Sequence, residues 1–343
     1  MKALTLVDYN HLVYEDVPDP QIAGNEVLVR VRACGICGSD VHGMDGSTGR
    51  RRPPIIMGHE AAGVVAEVGN QVRDWKKGDR VTFDSTISCG SCWFCHRGMF
   101  NLCDHRRVLG VSCDDYRQHG AFAEYVALPH RILYPLPDSV SFEQAAMVEP
   151  LSVAVHAVER TPVSLGDTAV VMGAGMIGLL AVQALRVAGC GKIIAVDLEP
   201  QKLKLALALG ADIGLKADEC DVVEEVRSRT HGRGADVALE VIGLGPTINT
   251  AVACLRKGGS LTLVGNFRPT VEIPLQAVVT RQLTLAGSCA SNGEYPACLD
   301  LLGRKAINTD ALVSATPPLA EGAAWFKRLY DREPGLLKVI LHC

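Results

Sequence analysis

Residues 168–197 read TAVVMGAGMIGLLAVQALRVAGCGKIIAVD, and the order of textures within them decides the fold. An apolar strand-like run, TAVVM, meets a glycine turn; LLAVQALRVAG then has helical composition and length, and KIIAVD is a second strand-like run ending at Asp197. In that setting G-x-G-x-x-G has a mechanical meaning. Glycines allow the tight turn, close approach of backbone to a pyrophosphate, and close packing of helix on strand, while the helix N-terminus faces the phosphates. Gly173, Gly175, Ile177 and Gly178 are therefore candidate dinucleotide contacts. Asp197, nineteen residues after Gly178, can accept hydrogen bonds from the adenosine ribose and repels a 2′-phosphate, which favours NAD over NADP. Lys202, one turn into the next helical stretch, is a candidate to lean over the adenine or ribose.

Downstream, strand-like runs at 235–242, 260–264 and 283–286 alternate with helical stretches such as 247–256. That alternation predicts a doubly wound parallel sheet with ligand at the C-terminal strand ends, where Val264, Gly265 and Ser288 would line the nicotinamide side. Upstream the texture differs. Short β runs at 2–7, 11–17, 26–31, 62–68, 80–83 and 121–128, separated by Gly, Asp and Pro, suggest a small barrel or sandwich, with Val27, Val29 and Val31 facing its core. A closing strand, LKVIL, is more easily placed in this first domain than in the parallel sheet.

Two motifs in the β-rich part carry metal chemistry. CGICGSDVH at 34–42 and GHEAAG at 58–63 offer a thiol at Cys37, an imidazole at His59 and a carboxylate at Glu60, all zinc-competent groups. Singly, each is more often a packing residue; together with Ser39, Asp40 and His42 they read as a site. Asp40 is a candidate acceptor for the second N–H of His59, and Ser39 and His42 could pass a proton toward solvent. Glu149 precedes Pro150, a position disfavouring helix, so its carboxylate is expected at a helix break as a further candidate ligand; His156 reads as a packing histidine. Cys89, Cys92, Cys95 and Cys103 give C-x2-C-x2-C-x7-C, a spacing that lets four thiolates close a tetrahedral, and hence structural, zinc site.

The composition agrees with an enzyme rather than a nucleic-acid or membrane protein. The 343 residues are 48% hydrophobic and 21% charged, with net charge −4 and pI near 6.2, and no apolar run is long enough to span a bilayer. Thirteen cysteines without a signal peptide point to a reducing compartment, the cytoplasm.

The carriers CGICGSDVH, GHEAAGVVAEVG at 58–69, the four-cysteine loop, VEPLSV at 148–153, GAGMIG and Asp197 together resemble the zinc-dependent medium-chain dehydrogenases, especially the polyol branch with sorbitol and threonine dehydrogenases. The likeness runs over nearly the whole chain. It implies an α/β protein with a GroES-like β-barrel catalytic domain at 1–153 and 296–343, and a Rossmann NAD-binding domain at 154–295. It implies one catalytic and one structural zinc, with Cys37 and His59 as ligands and Glu60 and Glu149 competing for the third place, and a proton route through Ser39 and His42. The implied activity is oxidation of a secondary alcohol of a polyol, sorbitol-, iditol- or galactitol-like and possibly phosphorylated, by hydride transfer to NAD in a homo-oligomer, dimer or tetramer. L-threonine or butanediol is the alternative substrate, and a non-catalytic NAD- and zinc-binding protein the alternative class. Gly43 stands where sorbitol dehydrogenases usually carry tyrosine, and SCAS at 288–291 replaces their arginine-tyrosine pair. Arg50, Arg51 and Arg52 form either a solvated loop or a phosphate site.

Overall fold

The computed structural model describes residues 1–343. Its contacts divide the chain into two units, Met1–Glu149 with Tyr295–Cys343, and Pro150–Glu294. No helix is long and apolar enough to cross a membrane.

The first unit is organised by the strand Glu26–Gly35, which pairs antiparallel with Glu60–Val68, Tyr125–Pro129 and Lys338–His342. Arg80–Phe83 and Leu133–Pro135 extend this sheet beyond Glu60–Val68, and Val313–Ala315 extends it beyond Lys338–His342. A second sheet sets Lys2–Asp8 between His11–Asp16 and Ile55–Ile56. Val27, Val29 and Val31 are fully buried, as their alternation requires, in a core that includes Phe83 and the edge-to-face pair Phe122 and Phe326. The run 121–128 forms a strand only over Tyr125–Pro129. Its first part crosses beside the metal motif instead, where the N–H groups of Ala121 and Phe122 donate to the carbonyls of Gly58 and Met57.

Strand register brings the metal motifs together. Gly35 lies opposite Glu60, and Ile340 lies opposite Gly35 on its other side. Cys37, His59, Glu60 and Lys338 therefore sit at one end of three adjacent strands. A side chain at Gly35 would press on Glu60, its Cβ standing 2.4 Å from Oε2.

The second unit is a six-stranded sheet in the order Ile213–Lys216, Lys192–Asp197, Thr168–Met172, Ala235–Glu240, Leu255–Leu263, Thr284–Gly287, with every neighbouring pair parallel. In chain order this is 3-2-1-4-5-6, the doubly wound arrangement whose direction reverses beside the first strand. The expected helix at 247–256 spans Gly245–Cys254, and the next strand begins at Leu255 rather than 260. An irregular register between Ala235 and Val237, with Gly258 N–H donating to the Arg281 carbonyl, carries the early part of that strand.

Candidate metal and dinucleotide sites

Cys37 follows the strand Glu26–Gly35 by two residues and caps the short helix Gly38–Gly43, its Sγ accepting from Ser39 N–H at 3.5 Å and from Ser39 Oγ–H at 3.3 Å. One donor atom from each of Cys37, His59 and Glu60 lies within 4.8 Å of the others, and His59 and Glu60 are buried. Asp40, fully buried, places Oδ2 3.3 Å from His59 Nδ1. That contact is an ion-pair approach rather than an aligned hydrogen bond, and neither atom has another hydrogen-bond partner. Burial alone would raise the Asp40 pKa, but His59 and Arg51 outweigh it and hold the carboxyl at about 2. Burial likewise opposes protonation of His59, and the charges of Asp40 and Cys37 overcome it, lifting the imidazole well above its usual value. A buried imidazole facing a carboxylate and a cysteine sulfur is a place where a cation fits.

Two cations that the motifs did not reveal complete the surroundings. Lys338, 2% exposed in the last strand, donates to Glu60 Oε2 at 2.6 Å and to the Ile36 carbonyl at 3.0 Å. Burial lowers its pKa, but Glu60 and Cys37 more than compensate, so the ammonium is retained. Its signal in the sequence is a lysine inside the apolar run LKVIL. Arg51, 4% exposed, donates from Nε and Nη2 to Asp40 Oδ1 at 3.0 and 2.8 Å. This corrects the reading of Arg50–Arg52 as one solvated or phosphate-binding run: Arg51 is spent on Asp40, and Arg52 pairs with Asp114 at the surface.

Glu149 lies outside the close donor set but feels its charge. Ser85 Oγ donates to Glu149 Oε1 at 3.2 Å; burial, with help from Glu60 and Asp84 and against His59 and Lys338, pushes its pKa up to about 7. Glu149 lies two residues past a helix break, at Met147 between Phe142–Ala146 and Val148–Glu159. It belongs to the first turn of Val148–Glu159, where Pro150 is tolerated because its missing N–H has no intrahelical partner to lose. His156 packs on the same helix with Nδ1 2.6 Å from Glu294 Oε1. Ser39 and His42 are both exposed on the Gly38–Gly43 helix.

The sulfurs of Cys89, Cys92, Cys95 and Cys103 all lie within 4.8 Å of one another. Hydrogen bonds from Ser91 bring the Cys89 pKa down to about 6, while burial pushes Cys103 up to about 12. Four converging sulfurs with no other donor needed fit a closed tetrahedral zinc site.

In the second unit, Gly178 is fixed by contact, since a Cβ there would lie 1.8 Å from the Gly173 carbonyl oxygen. Gly175 differs: a Cβ would meet nothing within 4 Å, leaving open space at the start of the helix Met176–Val187, with Ile177 half-buried in its first turn. That space suits a pyrophosphate. Beside it runs a cavity of about 490 Å³ lined by Gly173, Asp197, Leu198, Ala217, Asp221 and Thr247 among others, large enough for an adenosine. Asp197 is not a helix cap, because the following helix, Pro200–Ala208, is capped at Glu199. Its Oδ1 accepts from Leu198 and Glu199 N–H and its Oδ2 from Ala174 N–H, tying the strand end to the glycine turn. Lys202 departs from expectation. Its ammonium is held by Glu199 at 2.6 Å, and it does not line the cavity. Val264, Gly265 and Ser288 stand just past two adjacent strand ends, joined by Ser288 N–H donating to the Leu263 carbonyl.

A half-buried thiol beside a buried imidazole and carboxylate, a four-sulfur site and a doubly wound sheet with an NAD-type turn define the class as a zinc-dependent dehydrogenase. Models of the alcohol dehydrogenase GroES-like domain and of the zinc-binding dehydrogenase match residues 23–138 and 177–304. The chain is 36% identical over 347 residues to a sorbitol dehydrogenase of Bacillus subtilis, covering 100% of this chain and 97% of that protein. Alcohol dehydrogenase TADH from Thermus sp. ATN1 superposes with TM-score 0.94 at 32% identity, covering 100% and 99% of the two chains. A zinc-binding dehydrogenase of Sinorhizobium meliloti 1021 bound to NADP gives TM-score 0.92 at 32% identity, covering 100% and 99%. The chain belongs to the zinc-dependent medium-chain alcohol dehydrogenase family, alongside its polyol dehydrogenases.

Proposed function

We propose that this protein oxidises a secondary alcohol of a polyol by hydride transfer to NAD, with zinc held in the first unit and NAD in the second. The observation that carries the reading is the convergence of Cys37, His59 and Glu60 donor atoms within 4.8 Å in a buried setting. Zinc there would supply Lewis acidity toward the substrate hydroxyl, and NAD the hydride acceptor. Cys37 and His59 would hold the ion, with Glu60, the nearer carboxylate, or Glu149 as third ligand. Ser39, whose Oγ lies 3.3 Å from Cys37 Sγ, would take the hydroxyl proton, and His42, exposed on the same helix, would pass it to solvent. Cys89, Cys92, Cys95 and Cys103 would hold the structural zinc.

NAD rather than NADP is supported by the cavity lining, which contains Asp197 and Asp221 and no lysine or arginine. A 2′-phosphate would meet two carboxylates and no partner charge. An unphosphorylated polyol is supported by the engagement of Arg51 and Arg52 elsewhere. A homo-oligomer, dimer or tetramer, is supported by the edge strand Thr284–Gly287 and the exposed Phe267, Leu275 and Val279 of the same unit. Thiolate ligands need reduced sulfur, which favours the cytoplasm.

The test is NADH formation, followed at 340 nm, across hexitols, pentitols, their phosphates, butanediol and threonine, with and without a zinc chelator. Chelator-sensitive turnover on free polyols supports the reading. Activity confined to threonine or butanediol would move the substrate class, and silence across the panel with zinc bound would return the non-catalytic alternative.

A further inference from the structure

Arg51 is a full positive charge with 4% of its surface exposed, in the loop before the strand Ile55–Ile56. Burying a guanidinium is costly unless its donors are satisfied. Here they are engaged in a directed way. Nε and Nη2 both donate to one oxygen of Asp40, Oδ1, leaving Oδ2 as the oxygen that faces His59 Nδ1 at 3.3 Å. Nη2 also donates to Ser39 Oγ at 3.3 Å, and Nη1 to the Arg50 carbonyl at 3.1 Å. Arginine can only donate. Ser39 Oγ must therefore act as acceptor toward Arg51, and its single hydrogen is directed to the other side, where Cys37 Sγ lies at 3.3 Å.

The space for this side chain is made by Gly43. A Cβ at position 43 would stand 2.4 Å from Arg51 Cγ and 3.3 Å from its Cβ. Any side chain there forces the arginine stem off its path, so the glycine on the Gly38–Gly43 helix and the arginine eight residues later form one device.

We propose that Arg51, admitted by Gly43, is a positioning residue for the Cys37–His59 site: it orients the imidazole through Asp40 and the hydroxyl through Ser39. The inference rests on the alcohol dehydrogenase reading above. One guanidinium sets two orientations at once, the imidazole that would hold the ion and the hydroxyl that would take the proton. Arg51, a donor only, cannot accept a proton from Ser39.

The experiment uses the full-length protein with zinc retained at the four cysteines and cobalt(II) exchanged into the Cys37–His59 site, comparing wild type with R51M, R51K and G43A. R51M and G43A are expected to shift the cobalt d–d and thiolate charge-transfer bands and to speed removal of that metal by chelator by about 10–100-fold. They should also lower kcat more than they raise KM for the active polyol. R51K, which keeps the charge but not the two-nitrogen grip, should fall between. Retention of the four-cysteine metal reports an intact fold, and G43A, which keeps every charge, decides the matter if R51M fails to fold. Variants whose spectrum, chelation rate and kcat stay within about twofold of a normal wild type would overturn the Arg51 assignment alone. A wild type that takes up metal only at the four cysteines would overturn both it and the dehydrogenase reading.

Discussion

Replacing Lys338 by methionine tests the electrostatics of the site most directly. The ammonium and the Glu60 carboxylate are 2.6 Å apart and each 2% exposed, so removing the cation leaves a buried anion without its partner. Breaking such a pair costs about 3–5 kcal/mol. For a unit of about 200 residues this is a fall of roughly 6–20 °C in Tm for the metal-free protein. The metal-loaded protein should lose less, because a divalent ion beside Cys37 and His59 attracts the same carboxylate. The cycle must close: if the metal-free protein loses about 4 kcal/mol and the loaded protein about 2, zinc binds the variant about 30-fold more tightly. Urea melts with and without zinc give the two losses, and a competing chromophoric chelator gives the affinity independently. Equal losses in both states, or weaker zinc binding by the variant, would refute the view that Lys338 and the ion act on one carboxylate.

Three further outcomes follow from the geometry. Asp197→Ala should raise KM for NAD by about 10–100-fold and narrow the preference over NADP, read as kcat/KM for the two cofactors, because it removes a charged acceptor and its repulsion of a 2′-phosphate. Cys103→Ser should lower zinc content by one ion per chain and open residues 89–103 to proteolysis, the loss being on the order of 10 kcal/mol of loop-ordering free energy; unchanged stoichiometry would contradict a four-thiolate site. Asp236, 7% exposed in its side chain, accepts from Arg256 Nε at 2.6 Å and from Thr168 N–H at 2.8 Å. Burial raises its pKa, but Arg256, Thr168 and Arg233 outweigh that and depress it. Its contribution is therefore present above the unfolded value, about 3.9, and lost as pH falls through the lower folded value. Asp236→Asn should destabilise the second unit at pH 7 by about 1.5–3 kcal/mol and flatten its acid unfolding; an unchanged acid limb would count against this pairing.

The parts of the site visible in the sequence are those that lie close together along the chain. Gly173 to Gly178 with Asp197 form one strand–turn–helix–strand unit, the four cysteines share one loop, and Cys37 and the His59–Glu60 pair sit in two glycine-flanked turns. What was hidden depends on register and packing. Lys338 reaches Glu60 only because Ile340 pairs with Gly35, which pairs with Glu60, across most of the chain's length. Arg51 looked like one member of a basic run, and only its path over Gly43 takes it from the surface into the site. At Glu149 the local rule is off by two residues: the helix break falls at Met147, and the first turn of Val148–Glu159 absorbs the restriction that Pro150 places on Glu149. For Lys202 the structure adds an ion pair with Glu199, three residues back.

These hidden residues also answer how so many anions share one site. Cys37, Asp40, Glu60 and Glu149 would together overload a divalent ion with negative charge and blunt its pull on a substrate hydroxyl. Arg51 draws off Asp40 and Lys338 draws off Glu60, both as close buried pairs. What is left is the Cys37 thiolate and Glu149, whose carboxyl at about 7 is poised to ionise beside a cation. Two uncompensated negatives, Cys37 as thiolate and Glu149, would match the charge of one zinc ion. Neutralising Lys338 adds a negative charge to that balance. Turnover should therefore fall in Lys338→Met even as zinc affinity rises, and this divergence separates electrostatic tuning of the site from simple loss of metal.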